Sequence, residues 1–218
     1  PAFYAKYTQI TIHTVEANTQ TLEDYLLRQV IDVALLTYPL ITKKLPTEDA
    51  YEEEVYLAVN RESPVLKRAM RDEETGRSYI NFEDVMDEPF ILLSKGQRLL
   101  KKLTKSYDVA RHFVDRTFAI YQSQFEKYGC KPHVIQKTQN PETSIRLAEQ
   151  GLGLAFMAGS YIHPVYNGSY KLSYLSIGRE GLYRKLVFAF PPNTYRSKAT
   201  MAFVEMASRL LAPGKQVP

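Results

Sequence analysis

Two glycines one residue apart, Gly151 and Gly153 in "AEQGLGLAFM", are the first residues whose spacing suggests chemistry, since G-x-G lets a backbone approach a pyrophosphate. That fingerprint needs a strand, then the glycines, then a helix whose N–H groups face the anion. Here the order is reversed. Ile145, Leu147 and Ala148 form a helical stripe before the glycines, an apolar run from Leu152 to Met157 follows them, and Phe156 occupies the third glycine position. A phosphate would meet a helix C-terminus, which carries partial negative charge. The pattern instead predicts a helix that starts at Asn140-Pro141 and stops at Gly151, with Gly153 allowing the next strand to pack closely. With "HVIQKT" (His133 to Thr138) as the preceding strand, the unit is strand, helix, strand, with parallel pairing.

Other reactive residue types give no constellation. His13, His112, His133 and His163 are scattered and form neither H-E-x-x-H nor a Cys/His zinc pattern, so no metal site is expected. No G-x-S-x-G elbow exists, and "AGSY" (Ala158 to Tyr161) lacks its flanking pattern. Cys130 stands alone, which excludes an intrachain disulfide, suits a reducing cytoplasm and reads as structural. No catalytic residue and no cofactor are expected.

The chemistry that the sequence does offer is a set of helix N-termini following strands, where N–H groups and short polar side chains converge on a small anion. Three such corners can be named: Asn18-Thr19 after "ITIHTV", Ser94-Lys95-Gly96-Gln97 after "PFILL", and Asn140 to Thr143 after "HVIQKT". Taken singly, Asn18, Thr19 and Asn140 read as helix caps. Taken together they describe a surface suited to a carboxylate.

The elements that would position these corners alternate along the chain. "PAFYAKYTQ" reads as a helix tail, "ITIHTV" (Ile10 to Val15) as a strand, Leu22 to Val30 as a helix with Thr21 and Asp24 resembling a capping box, and Val33 to Leu36 as a short buried strand. Strands follow at Val55 to Asn60 and Glu88 to Ser94, separated by a polar loop, Arg71 to Asn81. An amphipathic helix is predicted within Asp108 to Gly129, then a turn-rich stretch around Tyr161 to Tyr170, a strand "RKLVFAF" and a last helix from about Tyr195 to Leu211. This alternation argues for an α/β architecture. Hydrophobic residues make up 44% of the 218, enough for a real core, and no apolar run is long enough to span a bilayer. The net charge of +4 permits acidic partners without demanding nucleic acid. The basic "RLLKKLTK" (Arg98 to Lys105) and acidic "EDAYEEE" (Glu48 to Glu54) runs both read as solvated surface.

In order and spacing, "PAFYAKYTQITIHTVEANTQTLEDYLLRQVIDVALL", "EEEVYLAVNRESPV", "NFEDVMDEPFILLSKGQ" and "IRLAEQGLGLAFM" resemble the regulatory domain of LysR-type transcriptional regulators, over nearly the whole chain. The resemblance implies two Rossmann-like α/β subdomains joined by two crossovers, similar to type 2 periplasmic binding proteins, with an effector cleft between them. On that template subdomain I is 1–90 plus 158–218, subdomain II is 91–157, and the crossovers fall near Pro89 to Ser94 and Phe156 to Ser160. Thr19 stands where the family places a Ser or Thr that touches the effector. Ser94, Lys95, Gly96 and Gln97 match the cleft-facing loop, and Thr143 and Phe156 lie near the second subdomain's contribution. Lys95 and the helix N-termini favour a small organic acid, and Phe156 with Met157 a hydrocarbon or ring portion.

The resemblance further implies a cytoplasmic homodimer or tetramer that is no enzyme and binds no membrane. Its winged helix-turn-helix has no counterpart here, so DNA contact is expected only through an N-terminal domain of the full-length protein. The family's first strand would precede Pro1: either the chain begins part-way into that domain, or subdomain I keeps an unpaired strand edge. The alternative reading is a solute-binding protein or a small enzyme on the same bilobal fold.

Overall fold

A computed structural model describes residues 2–93, 116–138, 140–162 and 170–211. In chain order the elements are α1 (Ala2–Lys6), α2 (Thr19–Leu27), β1 (Ala34–Thr37), β2 (Thr47–Asn60), β3 (Met70–Arg71), β4 (Ser78–Ile80) and β5 (Pro89–Leu93), followed by α3 (Arg116–Lys127) and β6 (His133–Thr138). They continue with α4 (Pro141–Glu149), β7 (Leu154–Ala158), β8 (Leu172–Ile177), β9 (Leu182–Ala189) and α5 (Lys198–Leu211). Short 3-10 turns occupy Pro64–Arg68, Phe82–Asp84 and Gly159–Tyr161.

The chain divides into two compact units, one of Pro1–Glu52 with Lys185–Pro218 and one of Glu53–Arg184. The chain therefore leaves each unit inside β2 and inside β9. These bounds differ from the 1–90, 91–157 and 158–218 division. The reason is pairing: β5 and β7, expected near the crossovers, are hydrogen-bonded to each other and through β7 to β2, which holds all three in one unit.

In the unit Glu53–Arg184 the strands run in the order β3-β4-β8-β2-β7-β5-β6. Strand β5 is parallel to both β6 and β7, β4 is parallel to β8, and β2 is antiparallel to β7 and β8. The strand-helix-strand reading of β6, α4 and β7 holds, with β5 lying between the two strands. One face of this sheet buries Val55, Leu57 and Val59 with Phe82, Phe90, Phe125, Tyr121 and Phe156. The other buries Ala58, Ala155 and Met157 against Ile145 and Ala148 of α4, whose apolar positions fall at helical spacing.

Helix α4 ends as its glycine predicts. Gly151 adopts φ +75, and its N–H donates to the Ala148 carbonyl. Gly153 has a different role, because a Cβ there would lie 2.5 Å from the Pro89 carbonyl oxygen. Main chain cannot yield as a flexible side chain can. Gly153→Ala is therefore expected to destabilise by about 1–3 kcal/mol by forcing β5 and β7 apart; an unchanged urea midpoint would show that the sheet accommodates the methyl group.

The unit of Pro1–Glu52 and Lys185–Pro218 is smaller. Leu26 of α2 packs on Leu36 and Ala189, and Val204 of α5 packs on Phe188 and Phe190. Phe3 of α1 meets Phe203 edge-to-face at 5.7 Å. Strand β1 pairs antiparallel with β9, Leu36 opposite Val187.

Four sequence expectations change. Ile10 to Val15 forms no strand, since among the described residues nothing pairs with it and an extended run without a ladder is not a strand. The unit around α2 is accordingly helix then antiparallel strand. The polar loop Arg71 to Asn81 is a β3–β4 hairpin whose turn is tied by Asp72: its Oδ1 accepts from Glu74 and Thr75 N–H at 2.9 Å, and its Oδ2 from Arg179 Nε at 2.7 Å. Strand β8 is an added element. The acidic run is not all surface, because Glu53 and Glu54 are buried. The basic run Arg98 to Lys105 lies outside the described residues.

Candidate functional site

The expected site residues reach distinct settings. Asn18 caps α2, its Oδ1 accepting from Thr21 N–H at 2.9 Å, which makes Asn18 and not Thr21 the capping residue. Thr19 follows as the first helical residue, half-buried beside the cap. Glu23, one turn on, is buried and fixes the helix from behind: its carboxylate oxygens accept from the N–H groups of Ile41 and Thr42 at 2.8 Å each. No local pattern marks this role, because the two partners are main-chain groups 18 and 19 positions away.

Asn140 caps α4 in the same way, its Oδ1 accepting from Glu142 N–H at 2.8 Å, and Thr138 Oγ1 accepts from Asn140 N–H at 3.2 Å. Thr143 is exposed on the first turn, while the neighbouring Ser144 is fully buried and its hydroxyl has no hydrogen-bond partner among the described residues. Asn18 and Thr19 thus share one helix end. Thr143 stands at another. Ser94, Lys95, Gly96 and Gln97 lie outside the described residues.

Phe156 needs correcting. Its ring is 2% exposed, stacked on Tyr121 at 4.4 Å and on Phe90 at 5.5 Å, so its faces are taken up by protein and not offered to a ligand. Strand β7 is buried on both faces, and local sequence cannot say which face a ligand sees.

A cluster of charge that sequence reasoning missed sits at the start of the Glu53–Arg184 unit. Arg184 grips Glu53 through Nε at 2.7 Å and through a second guanidinium nitrogen, while the other oxygen of Glu53 accepts from Ser160 N–H at 2.7 Å. The two side chains are 11% and 7% exposed. Beside them Glu54 pairs with Arg77 at 3.2 Å, and Arg77 also donates to Tyr183 Oη at 3.1 Å and to the Arg179 carbonyl at 2.7 Å. The Tyr183 bond raises the Arg77 pKa further. Burial, with the Glu54 carboxylate acting in the same direction, pushes the Tyr56 phenol up to about 12. Gly181, at φ +81, makes room for Glu54; a Cβ would come within 2.6 Å of its Oε1.

Among the described residues no group of three or more His, Cys, Asp or Glu could hold a metal, and no helix is long and apolar enough to cross a membrane.

A model of the LysR substrate binding domain matches residues 1–212. The chain is 26% identical over 218 residues to the uncharacterized HTH-type transcriptional regulator YcgK of Bacillus subtilis strain 168, covering 96% of this chain and 60% of that protein. It thus spans less than two thirds of that relative. Two solved structures share its fold. The effector binding domain of QuiR in complex with shikimate superimposes with a TM-score of 0.72 at 17% identity, over 99% of this chain and 89% of that one. The regulatory domain of Synechocystis PCC6803 CcmR in complex with 2-PG gives 0.74 at 16% identity, over 98% and 89%. The α/β, periplasmic-binding-protein-like fold of type 2 is therefore the one this chain adopts. By the match along almost its whole length, the chain belongs to the LysR substrate-binding domain family.

Proposed function

We propose that this chain is the ligand-sensing module of a bacterial LysR-type transcription factor, acting in the cytoplasm and without enzymatic turnover. The observation that carries this reading is the family match across residues 1–212. In support, the curated relative is an HTH-type regulator longer than this chain, and a structural neighbour holds shikimate, a carboxylate. The effector is a small organic anion held at the N-terminus of α2, where Asn18 fixes the helix end and the Thr19 hydroxyl adds a donor. Ser94, Lys95, Gly96, Gln97 and Thr143 are further proposed contacts, with Lys95 supplying positive charge. Phe156 is left out, its ring being enclosed.

The effector works by population shift: it binds one arrangement of the regulator more tightly than another, and a homodimer or tetramer passes the bias to DNA-binding domains elsewhere in the full-length protein. A ligand of equal affinity for both arrangements would change nothing.

Thermal unfolding against a panel of carboxylates, sugars, amines and nucleotides tests this reading. One acid at a hundred times its Kd is expected to add about 2.7 kcal/mol, a rise in Tm of roughly 5–10 °C for a protein of this size. Thr19→Ala should abolish most of that rise while costing the ligand-free protein less than about 1 kcal/mol, since Asn18 and not Thr19 supplies the cap. Preferential stabilisation by uncharged or cationic compounds would overturn the anion assignment.

A further inference from the structure

A concavity is lined wholly by residues of the Glu53–Arg184 unit. It is a groove of about 720 Å³ along the outer edge of β8. That volume falls within the range of sites for small organic ligands. Strand β8 has β2 along one side from Leu172 to Ser176, but β4 reaches it on the other side only at Ser176 and Ile177. From Leu172 to Leu175 the second edge of β8 therefore has no strand partner among the described residues, and the Leu172 carbonyl accepts from Arg61 Nε.

Three kinds of polar side chain line the opening, among apolar ones such as Leu66, Ile162 and Leu172. Tyr56 and Tyr174 are diagonal neighbours on one sheet face, because Tyr56 lies opposite Ser176 and Ala58 opposite Tyr174. Ala58 and Ser176 are small and fully covered, so the two half-buried rings form the outer layer there. Ser78 and Ser173 contribute hydroxyls. Arg61 is held in place from one side only: its N–H donates to the Lys171 carbonyl and its Nε to the Leu172 carbonyl, both at 3.0 Å. Among the described residues no carboxylate forms an ion pair with it, so its terminal guanidinium nitrogens keep their donors for a ligand.

We propose that this groove is a binding site for a small planar anion, an aromatic or conjugated carboxylate, whose ring lies against Tyr56 and Tyr174 and whose acid group meets Arg61. A guanidinium matches a carboxylate bidentately, and one already anchored through Nε loses less freedom on binding than a mobile lysine. Both phenols, whose pKa burial raises above the ordinary tyrosine value of about 10, are neutral at pH 7 and do not repel the anion. The site is independent of the α2 end and of the sensing role proposed for it.

The test is two-dimensional NMR of the chain with ¹³C-labelled tyrosine, titrated with benzoate and 4-hydroxybenzoate. Tyr56 and Tyr174 signals, assigned by Tyr→Phe replacement, are expected to shift and saturate at millimolar or lower concentration. Arg61→Gln should raise the Kd by about tenfold or more, the loss of one charge-assisted pair. Tyr174→Leu should weaken binding with Tyr56 as the remaining reporter, and Thr19→Ala should leave both shifts unchanged. Absence of any change at these two tyrosines, or shifts indifferent to Arg61→Gln in a variant that melts like the parent, would overturn the assignment. A loss of shifts in Thr19→Ala would equally do so, by placing the ligand at α2 instead.

Discussion

Replacing Glu53 with alanine is expected to lower folding stability by about 3–5 kcal/mol, the range for breaking a buried ion pair from one side. The loss has two causes. Arg184, 11% exposed, loses the Glu53 carboxylate that it grips through two nitrogens, and the Ser160 N–H loses its acceptor. For a chain of this length that loss amounts to a fall in Tm of roughly 10 °C. A double-mutant cycle separates the two causes. Combined with Arg184→Met, the cycle is expected to give a Glu53–Arg184 coupling of about 0.5–3 kcal/mol, the rest of the loss belonging to the Ser160 N–H. A single-variant cost below about 1 kcal/mol would mean that water reaches Arg184 and that the pair behaves as an exposed one.

Phe156→Ala should be as damaging, at about 3–5 kcal/mol, for a different reason. The ring is stacked between Tyr121 at 4.4 Å and Phe90 at 5.5 Å and meets Phe125 nearly at right angles at 6.3 Å, so truncation leaves a cavity walled by rigid rings that cannot collapse into it. Phe156→Leu keeps most of the volume and should cost less than half as much. The comparison also decides between packing and recognition at this position. A packing residue moves the urea midpoint and leaves effector affinity alone in the surviving folded fraction. A recognition residue does the reverse, and an affinity loss with unchanged stability would restore Phe156 to the ligand site.

What could be read from the sequence depended on how far apart the interacting groups lie along it. Helix α4 was legible end to end, since Asn140, Pro141 and Gly151 act on main-chain groups within a few positions of themselves. The cap at Asn18 was legible for the same reason. Strand β2 was half legible: its buried end at Val55 to Val59 is plain from composition, but the acidic end looks solvated unless Arg184 is known to arrive 131 positions later. Ile10 to Val15 shows the converse, a locally plausible strand that needs a partner no local pattern can supply. Strand β8 escaped because in "LSYLSI" the buried positions Leu172, Leu175, Ser176 and Ile177 break the alternation that marks a strand. Arg61 escaped because only the folded main chain at Lys171 and Leu172 makes it an anchored cation.

The division of the chain has a consequence for its synthesis. The unit Glu53–Arg184 is one continuous stretch, whereas the other unit is made of two, Pro1–Glu52 and Lys185–Pro218, that flank it. Leu36 of β1 cannot meet Val187 of β9 until about 150 further residues have been translated, on the order of ten seconds at typical ribosomal rates. Through that interval Leu26 and Leu36 have no Ala189 to cover them, and the β1 edge has no β9 to pair with. Nascent chains of this protein should therefore recruit a holding chaperone to the segment Pro1–Glu52 and release it only as β9 leaves the exit tunnel.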